Sequence, residues 1–163
     1  MRTFTLLLSA MHQPRDISNF ALHYQIKNYC YEFGITGEVL KYGKANDKEW
    51  HRGTWCDRIY RQAGGINGWP RRLSCSTASV TKERMKTYFP LVTKDDVYVR
   101  IYDYTHDLVN DSDDKVDAVL LNAENKLIRD HMNVHGIKPK LNIAETKSHA
   151  YISSDVQSLF EGL

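Results

Sequence analysis

The sequence predicts an α+β fold in which a small antiparallel or mixed β-sheet, a β-hairpin plus a third strand, is flanked by helices. Three observations predict it. Residues 27–45 contain two strand-like segments on either side of a Thr36-Gly37 turn. Residues 97–104 alternate in the manner of a strand. Residues 116–132 instead repeat apolar side chains at helical spacing.

The N-terminal part of the chain predicts a buried strand followed by a helix. Residues 3–9 are apolar and β-prone, and the run is too short to span a membrane. A signal peptide is a weaker interpretation, because the charged segment before the apolar run is a single arginine. A short helix is expected from Ile17 to Tyr24, with Asp16 or Ser18 as its cap.

The middle of the chain predicts the hairpin and two more helices. The hairpin strands are expected at residues 27–35 and 38–45. Apolar residues then recur at helical spacing from Trp55 to Ala63, and the Gly64-Gly65 pair stops that helix. Another short helix is expected over residues 81–88.

The longest helix is predicted to begin near Asp111 or Ser112. Ser112 is a favourable cap, and acidic side chains follow it in the first turn, where the helix dipole favours them. Gly136 ends the helix, and Pro139 prevents its continuation. A chain of 163 residues organised in this way is expected to form one domain, residues 1–163.

Composition and charge narrow the class of protein. Hydrophobic residues make up 42% of the chain, and three cysteines without C-x-x-C spacing favour a reducing cytoplasm over a disulfide framework. Residues 46–90 carry nine basic and four acidic side chains, a net charge of +5. Residues 95–124 carry two basic and nine acidic side chains, a net charge of −7. The basic segment suits a nucleic-acid surface or a solvated face equally well.

The hairpin carries the first candidate site residues. Tyr31 lies across the turn from Lys41, within direct or diagonal reach, and the expected register favours Tyr31 over Tyr29. A lysine ammonium beside a phenol lowers the pKa of the phenol, and a phenolate can take a proton from water. Lys44, at the end of the second strand, is placed to reach a phosphate.

Glu124 is the second candidate, because it is a carboxylate on the apolar stripe of the longest helix. A buried carboxylate is unfavourable unless it is paired or binds a metal. One Mg²⁺ that keeps several waters and takes a substrate phosphate oxygen needs only one protein carboxylate. The alternative is a boundary residue bonded to a lysine or arginine.

These residues resemble, in order, the motifs of the GIY-YIG nuclease superfamily. The triplet on the first strand is Tyr29-Cys30-Tyr31. Lys41 occupies the position at which the second motif of the family has a tyrosine, and in this it resembles the small type II restriction endonucleases of the family that carry lysine at that position. The resemblance covers about residues 28–63 and 97–142. The other matching segments are Tyr42-Gly43-Lys44-Ala45, Asp57-Arg58-Ile59, Glu124-Asn-Lys-Leu127-Ile128 and Pro139-Lys-Leu-Asn142.

The resemblance implies a metal-dependent DNA endonuclease that uses one Mg²⁺, for which Mn²⁺ substitutes, and leaves 5′-phosphate and 3′-hydroxyl ends. Tyr31 would be the general base, assisted by Lys41. Arg58 would hold the scissile phosphate. Glu124 would bind the metal, and Asn142 would brace the metal helix or the active-site turn.

Further DNA contacts are expected from polar and basic positions in and beyond this core. Arg52, Arg58 and Arg61 compete for the position of the catalytic arginine, and the family spacing favours Arg58. Two segments lie outside the part of the chain that resembles the nuclease core, namely residues 1–27 and 64–96. We expect them to recognise the DNA sequence. The expected DNA-binding residues are Lys44, Arg52, Arg61, Arg71, Arg72 and Asn142.

The expected partner is double-stranded DNA. The protein is expected in the cytoplasm and is not expected to associate with a membrane. A palindromic target implies a homodimer by symmetry, and a restriction enzyme implies a cognate DNA methyltransferase. A phage or homing nuclease and a repair nuclease are alternatives within the same family. A catalytically silent nucleic-acid-binding module and a generic α+β interaction protein are alternatives of other classes.

Overall fold

The computed structural model describes residues 1–46, 57–69 and 76–142. These residues form an α+β fold with a four-stranded antiparallel sheet, which confirms the predicted class. The strands are β1 (Arg2–Leu7), β2 (Tyr29–Ile35), β3 (Glu38–Ala45) and β4 (Tyr98–Asp103). The helices are α1 (Pro14–Tyr24), α2 (Asp57–Ala63), α3 (Ser76–Tyr88) and α4 (Asp113–His135).

The strands lie in the order β1-β4-β2-β3, so that β4 is central and β3 is an edge strand. Asp103 of β4 is opposite Arg2 of β1 on one side and opposite Tyr29 of β2 on the other. The predicted N-terminal strand therefore joins the predicted hairpin and third strand in one sheet, by pairing with β4.

Both faces of β2 are covered by helices. Tyr29, Tyr31 and Phe33 point into the main core, together with buried residues of α1, α2 and α3. Cys30 points the other way, into a second cluster that includes Leu120 of α4. β2 is consequently buried along nearly its whole length, which explains why its sequence lacks a clean polar and apolar alternation.

The N-terminal segment is part of the main core. β1 and α1 supply buried residues to it, so residues 1–27 support the sheet. α1 begins at Pro14, which makes the prediction of a start at Ile17 too late; a proline is tolerated at the first helical position. Asp16 is not the cap itself, because its side chain lies in the first turn and accepts from the backbone N–H of Gln13 at 3.1 Å.

The boundaries of β3 and α4 follow the prediction closely, whereas the start of α3 does not. β3 has the predicted limits, and α4 is capped by Ser112, whose hydroxyl accepts from the backbone N–H of Lys115 at 3.4 Å. α3 begins at Ser76, five residues before the predicted start. The predicted start of α2 at Trp55 lies outside the described residues. In the described ranges, none of the helices has the length and apolar character needed to cross a membrane.

Candidate active site

Tyr31 lies in the middle of β2 with its ring against the backbone of β3. Its Cα is opposite Gly43. A Cβ atom added at Gly43 would lie 2.2 Å from Cζ and 2.3 Å from Oη of Tyr31. The Tyr31 side chain is 1% exposed and makes an edge-to-face contact with Phe33, with ring centroids 5.6 Å apart. Position 43 therefore has to be glycine for the tyrosine to occupy this place.

A register shift brings Lys41 to the same face of the sheet as Tyr31. Lys41 is opposite Phe33, and the pairing shifts by one residue between Phe33 and Gly34. Without this bulge Lys41 would be opposite Glu32 and would point to the other face. Lys41 is therefore diagonal to Tyr31 and not directly opposite it, which agrees with the predicted reach across the hairpin.

The Lys41 ammonium is buried and held by α2. The residue is 8% exposed, and its Nζ donates to Oε1 of Gln62, which is 3% exposed. Gln62 was not predicted as a site residue, because a glutamine in a short amphipathic helix is typical of a surface position. Its position in the sequence could have indicated a site residue, because Gln62 is next to the apolar Ala63 and within one helical turn of Arg58.

Glu124 is buried on α4, as its place on the apolar stripe predicted. The residue is 8% exposed, on the same buried face of α4 as Leu120 and Ile128. Burial raises the pKa of Glu124 to about 7, and the positive charges of Lys44, Lys41 and Arg58 oppose that rise, Lys44 most strongly. The three cations come from β3 and α2, so three elements bring their charges together at one carboxylate.

The edge position of β3 explains how groups from both sheet faces act on Glu124. Lys44 is opposite Cys30 and shares its face, whereas Lys41 shares the face of Phe33. Among residues 1–46, 57–69 and 76–142, no strand pairs with the outer side of β3, so groups on its two faces can meet around its edge. α4 packs against β3 and β2, and it brings Glu124 to this edge.

Three arginines were candidates for the catalytic arginine, namely Arg52, Arg58 and Arg61. The structure describes the side chain of Arg58 but not those of the other two. Arg58 lies in α2, is partly buried, and acts electrostatically on Glu124. Arg61 lies in the same helix, but its side chain is outside the described part. Arg52, Arg71 and Arg72 are also outside the described residues.

Asn142 lies at the edge of β3 and continues its hydrogen bonding. Its Oδ1 accepts from the backbone N–H of Tyr42 at 2.8 Å, and its Nδ2 donates to the Tyr42 carbonyl at 3.0 Å. The neighbouring Leu141 N–H donates to the Leu40 carbonyl at 2.9 Å. Residues 141–142 therefore brace the edge strand that carries Lys41 and Lys44.

A divalent ion bound at Glu124 would have to keep most of its water ligands. Among the described residues, no group of three or more His, Cys, Asp or Glu side chains could form a protein cage for a metal. Glu124 is one buried carboxylate whose charged form is disfavoured by desolvation. A bound Mg²⁺ would stabilise that charged form, and Mg²⁺ commonly uses one or two carboxylates together with substrate phosphate oxygens.

A second buried carboxylate, Glu32, lies on the face of β2 that points away from Tyr31 and that α4 covers, and it was not predicted as a site residue from the sequence. It accepts hydrogen bonds from the hydroxyls of Tyr98, at 2.8 Å, and Tyr102, and it pairs with Arg100 at 3.3 Å. The charge of Glu32 is thus matched within the sheet itself. A charged residue inside the most apolar strand was the signal that could have revealed this network.

Comparison of the chain with protein-family models, with curated proteins and with solved structures finds no match in any of the three.

Proposed function

We propose that the chain is a metal-dependent DNA endonuclease, specifically a site-specific type II restriction enzyme. The observation that carries the proposal is the grouping of three cations, Lys41, Lys44 and Arg58, around the buried Glu124 carboxylate. Positive charges around a metal-binding carboxylate suit a phosphodiester, because the substrate brings negative charge to the site. Further negative charge develops as the bond breaks, and the cations stabilise it.

In the proposed reaction a water molecule attacks phosphorus and the bond from phosphorus to the 3′ oxygen breaks. Tyr31 takes the proton of the attacking water on Oη, and the ammonium of Lys41 favours the phenolate that accepts it. Arg58 binds the scissile phosphate and stabilises the charge that develops on it. Lys44 neutralises a backbone phosphate.

Glu124 would hold the metal ion in this scheme. When bound, Mg²⁺ would supply positive charge to the leaving 3′ oxygen. Because the bond from phosphorus to this oxygen breaks and the oxygen takes a proton from solvent, the products carry 5′-phosphate and 3′-hydroxyl ends. Asn142 acts indirectly, since its two hydrogen bonds to Tyr42 fix the strand that presents both lysines.

DNA recognition is proposed for the basic segment and the residues beyond the core. Arg52, Arg61, Arg71 and Arg72 supply phosphate or base contacts, and bidentate arginine to guanine is the commonest base contact. A palindromic site would be cut by a homodimer in the cytoplasm, with a methyltransferase protecting the host DNA.

A catalytically silent DNA-binding module is the second candidate, and one observation favours it. Tyr31 is 1% exposed, whereas a general base must meet its water. A silent module would keep the cations and the fold but would leave DNA intact.

Plasmid digestion distinguishes the two candidates. Supercoiled plasmids of varied sequence are incubated with Mg²⁺ or Mn²⁺ and the wild type, Glu124→Gln or Tyr31→Phe. The matched control is Glu83→Gln, because Glu83 is an exposed glutamate of α3. Discrete fragments from the wild type and Glu83→Gln alone are the expected result. DNA that is bound in a mobility-shift assay but never cut by the wild type would exclude the enzyme and support the silent module.

A further inference from the structure

Gln62 is a buried polar residue for which the proposed reaction has no direct use. It lies four residues after Arg58 in α2, so both side chains share a face of that helix. Its Oε1 accepts a hydrogen bond from Nζ of Lys41 in β3. A buried ammonium requires such acceptors, and this contact ties the position of a cation near Glu124 to the helix that carries Arg58.

The chemical nature of residue 62 matters because glutamine is a neutral acceptor. A lysine ammonium is a point charge on a flexible stem, and a hydrogen bond limits where that charge can be. A carboxylate at position 62 would give the same bond but would cancel the charge of Lys41. Glutamine fixes the ammonium and leaves its positive charge to act on neighbouring groups.

Resting on the proposed nuclease function, we propose that Gln62 is a positioning residue, a neutral acceptor that holds the Lys41 ammonium on the Tyr31 face of β3 without itself neutralising the charge. Lys41 is diagonal to Tyr31 on that face, as a result of the bulge. Gln62 itself touches no substrate. Its contribution to the reaction passes entirely through Lys41.

The contact is tested first without any nuclease assay. Lysine ammonium groups that are buried and hydrogen-bonded give resolvable proton–nitrogen NMR signals, and Lys41→Met identifies the signal of Lys41. Gln62→Met is expected to remove or strongly shift this signal, whereas Gln62→Glu retains it at a changed position. A Lys41 signal that is the same in the wild type and in Gln62→Met overturns the proposal.

The route through Lys41 is tested by a double-mutant cycle on DNA cleavage. Gln62→Met is expected to lower kcat about tenfold, the rate equivalent of one hydrogen bond to a charged group, with little change in KM. The same substitution in a Lys41→Met background is expected to lower kcat no further. An equal loss in that background would show an independent effect of Gln62 and overturn the proposal.

The role of charge is separated from the role of geometry by Gln62→Glu. This variant keeps the hydrogen bond, so the proposal requires a lower kcat despite the retained Lys41 signal. Cleavage at the wild-type rate contradicts it. Lys126→Met, an exposed lysine of α4, is the additive control for the cycle. Absence of cleavage by the wild type with every metal would overturn the nuclease function and the positioning role together, whereas cleavage with an unchanged Lys41 signal overturns only the latter.

Discussion

Glu124 gains and loses its proton near neutral pH, because burial raises its pKa from 4.5 to about 7. The folded chain therefore binds this proton more tightly than the unfolded chain between those two pH values. The free energy of unfolding consequently falls as the pH rises through this window and levels off above it. A shift of this size corresponds to about 3 kcal/mol.

The first prediction compares the wild type with Glu124→Gln, which mimics the protonated side chain. From pH 5 to pH 8 the wild type is expected to lose about 3 kcal/mol of stability relative to the variant. Urea unfolding at both pH values measures the difference. If the two proteins show the same pH dependence, the Glu124 carboxyl is not desolvated as described.

The second prediction concerns the metal. At pH 8, Mg²⁺ is expected to raise the unfolding midpoint of the wild type, because an ion that binds only the folded state stabilises it by mass action. Glu124→Gln removes the carboxylate and should remove this effect. Thermal unfolding with Mg²⁺ and after EDTA treatment measures it, and equal stabilisation of both proteins would place the ion elsewhere.

At the scale of elements, the bulge in the β2–β3 hairpin decides which side chains share a face. It makes Leu40 the extra residue of β3 and brings Lys41 to the side of Tyr31. The Tyr31 ring then fills the space above Gly43. The geometry of the site therefore depends on the register shift and on the absence of a side chain at Gly43. Substitutions that change the packing at these positions can test both.

The third prediction is that Gly43→Ala destabilises the protein by about 1–3 kcal/mol, as overpacking of a core does. The added methyl group would overlap the Tyr31 ring, at 2.2 Å from Cζ. In a Tyr31→Ala background the same substitution should be much less destabilising, which chemical denaturation of the four proteins can measure. Equal losses in both backgrounds would mean that the ring does not lie on Gly43.

The fourth prediction addresses the brace of β3. Asn142→Ala leaves the N–H and carbonyl of Tyr42 without their side-chain partners, and we expect a loss of about 2 kcal/mol or more in unfolding stability. Asn133→Ala, at an exposed position of α4, is the matched control and should be nearly neutral. Faster amide hydrogen exchange at Tyr42 in Asn142→Ala alone would locate the effect in β3.

Much of this element structure was predictable because local patterns determine it. The limits of β3 follow from a glycine turn, and the cap and end of α4 follow from Ser112 and Gly136. The burial of Glu124 followed from its place on an apolar stripe. The partner of Lys41 did not, because the contact with Gln62 depends on how α2 packs against the sheet, and neither residue type indicates the other.

At the scale of the whole molecule, charge is distributed unevenly along the chain. The basic segment 46–90 and the acidic segment 95–124 carry +5 and −7. The described site nevertheless combines both, since Arg58 comes from the first segment and Glu124 from the second. The long-range fold thus places an acidic residue among cations, which charge along the sequence could not indicate.

The fifth prediction is that binding to double-stranded DNA weakens steeply with salt, because phosphate contacts release counterions. Loss of one phosphate contact in Lys44→Met should reduce the slope of log K against log salt by about 1. Lys126→Met should leave the slope unchanged. Fluorescence anisotropy over a salt series measures both, and equal slopes for all three proteins would argue against a phosphate contact at Lys44.

The central place of β4 also constrains the order in which the molecule can assemble during synthesis. The hairpin of β2 and β3 closes locally, but β1 pairs with β4 in the described sheet and can meet it only after residues 98–103 have left the ribosome. Arg2 must wait for Asp103, and such distant pairings slow folding. The nascent chain therefore carries β1 unpaired until β4 has been synthesised, and Glu124 reaches the lysines of β3 only after the sheet can close.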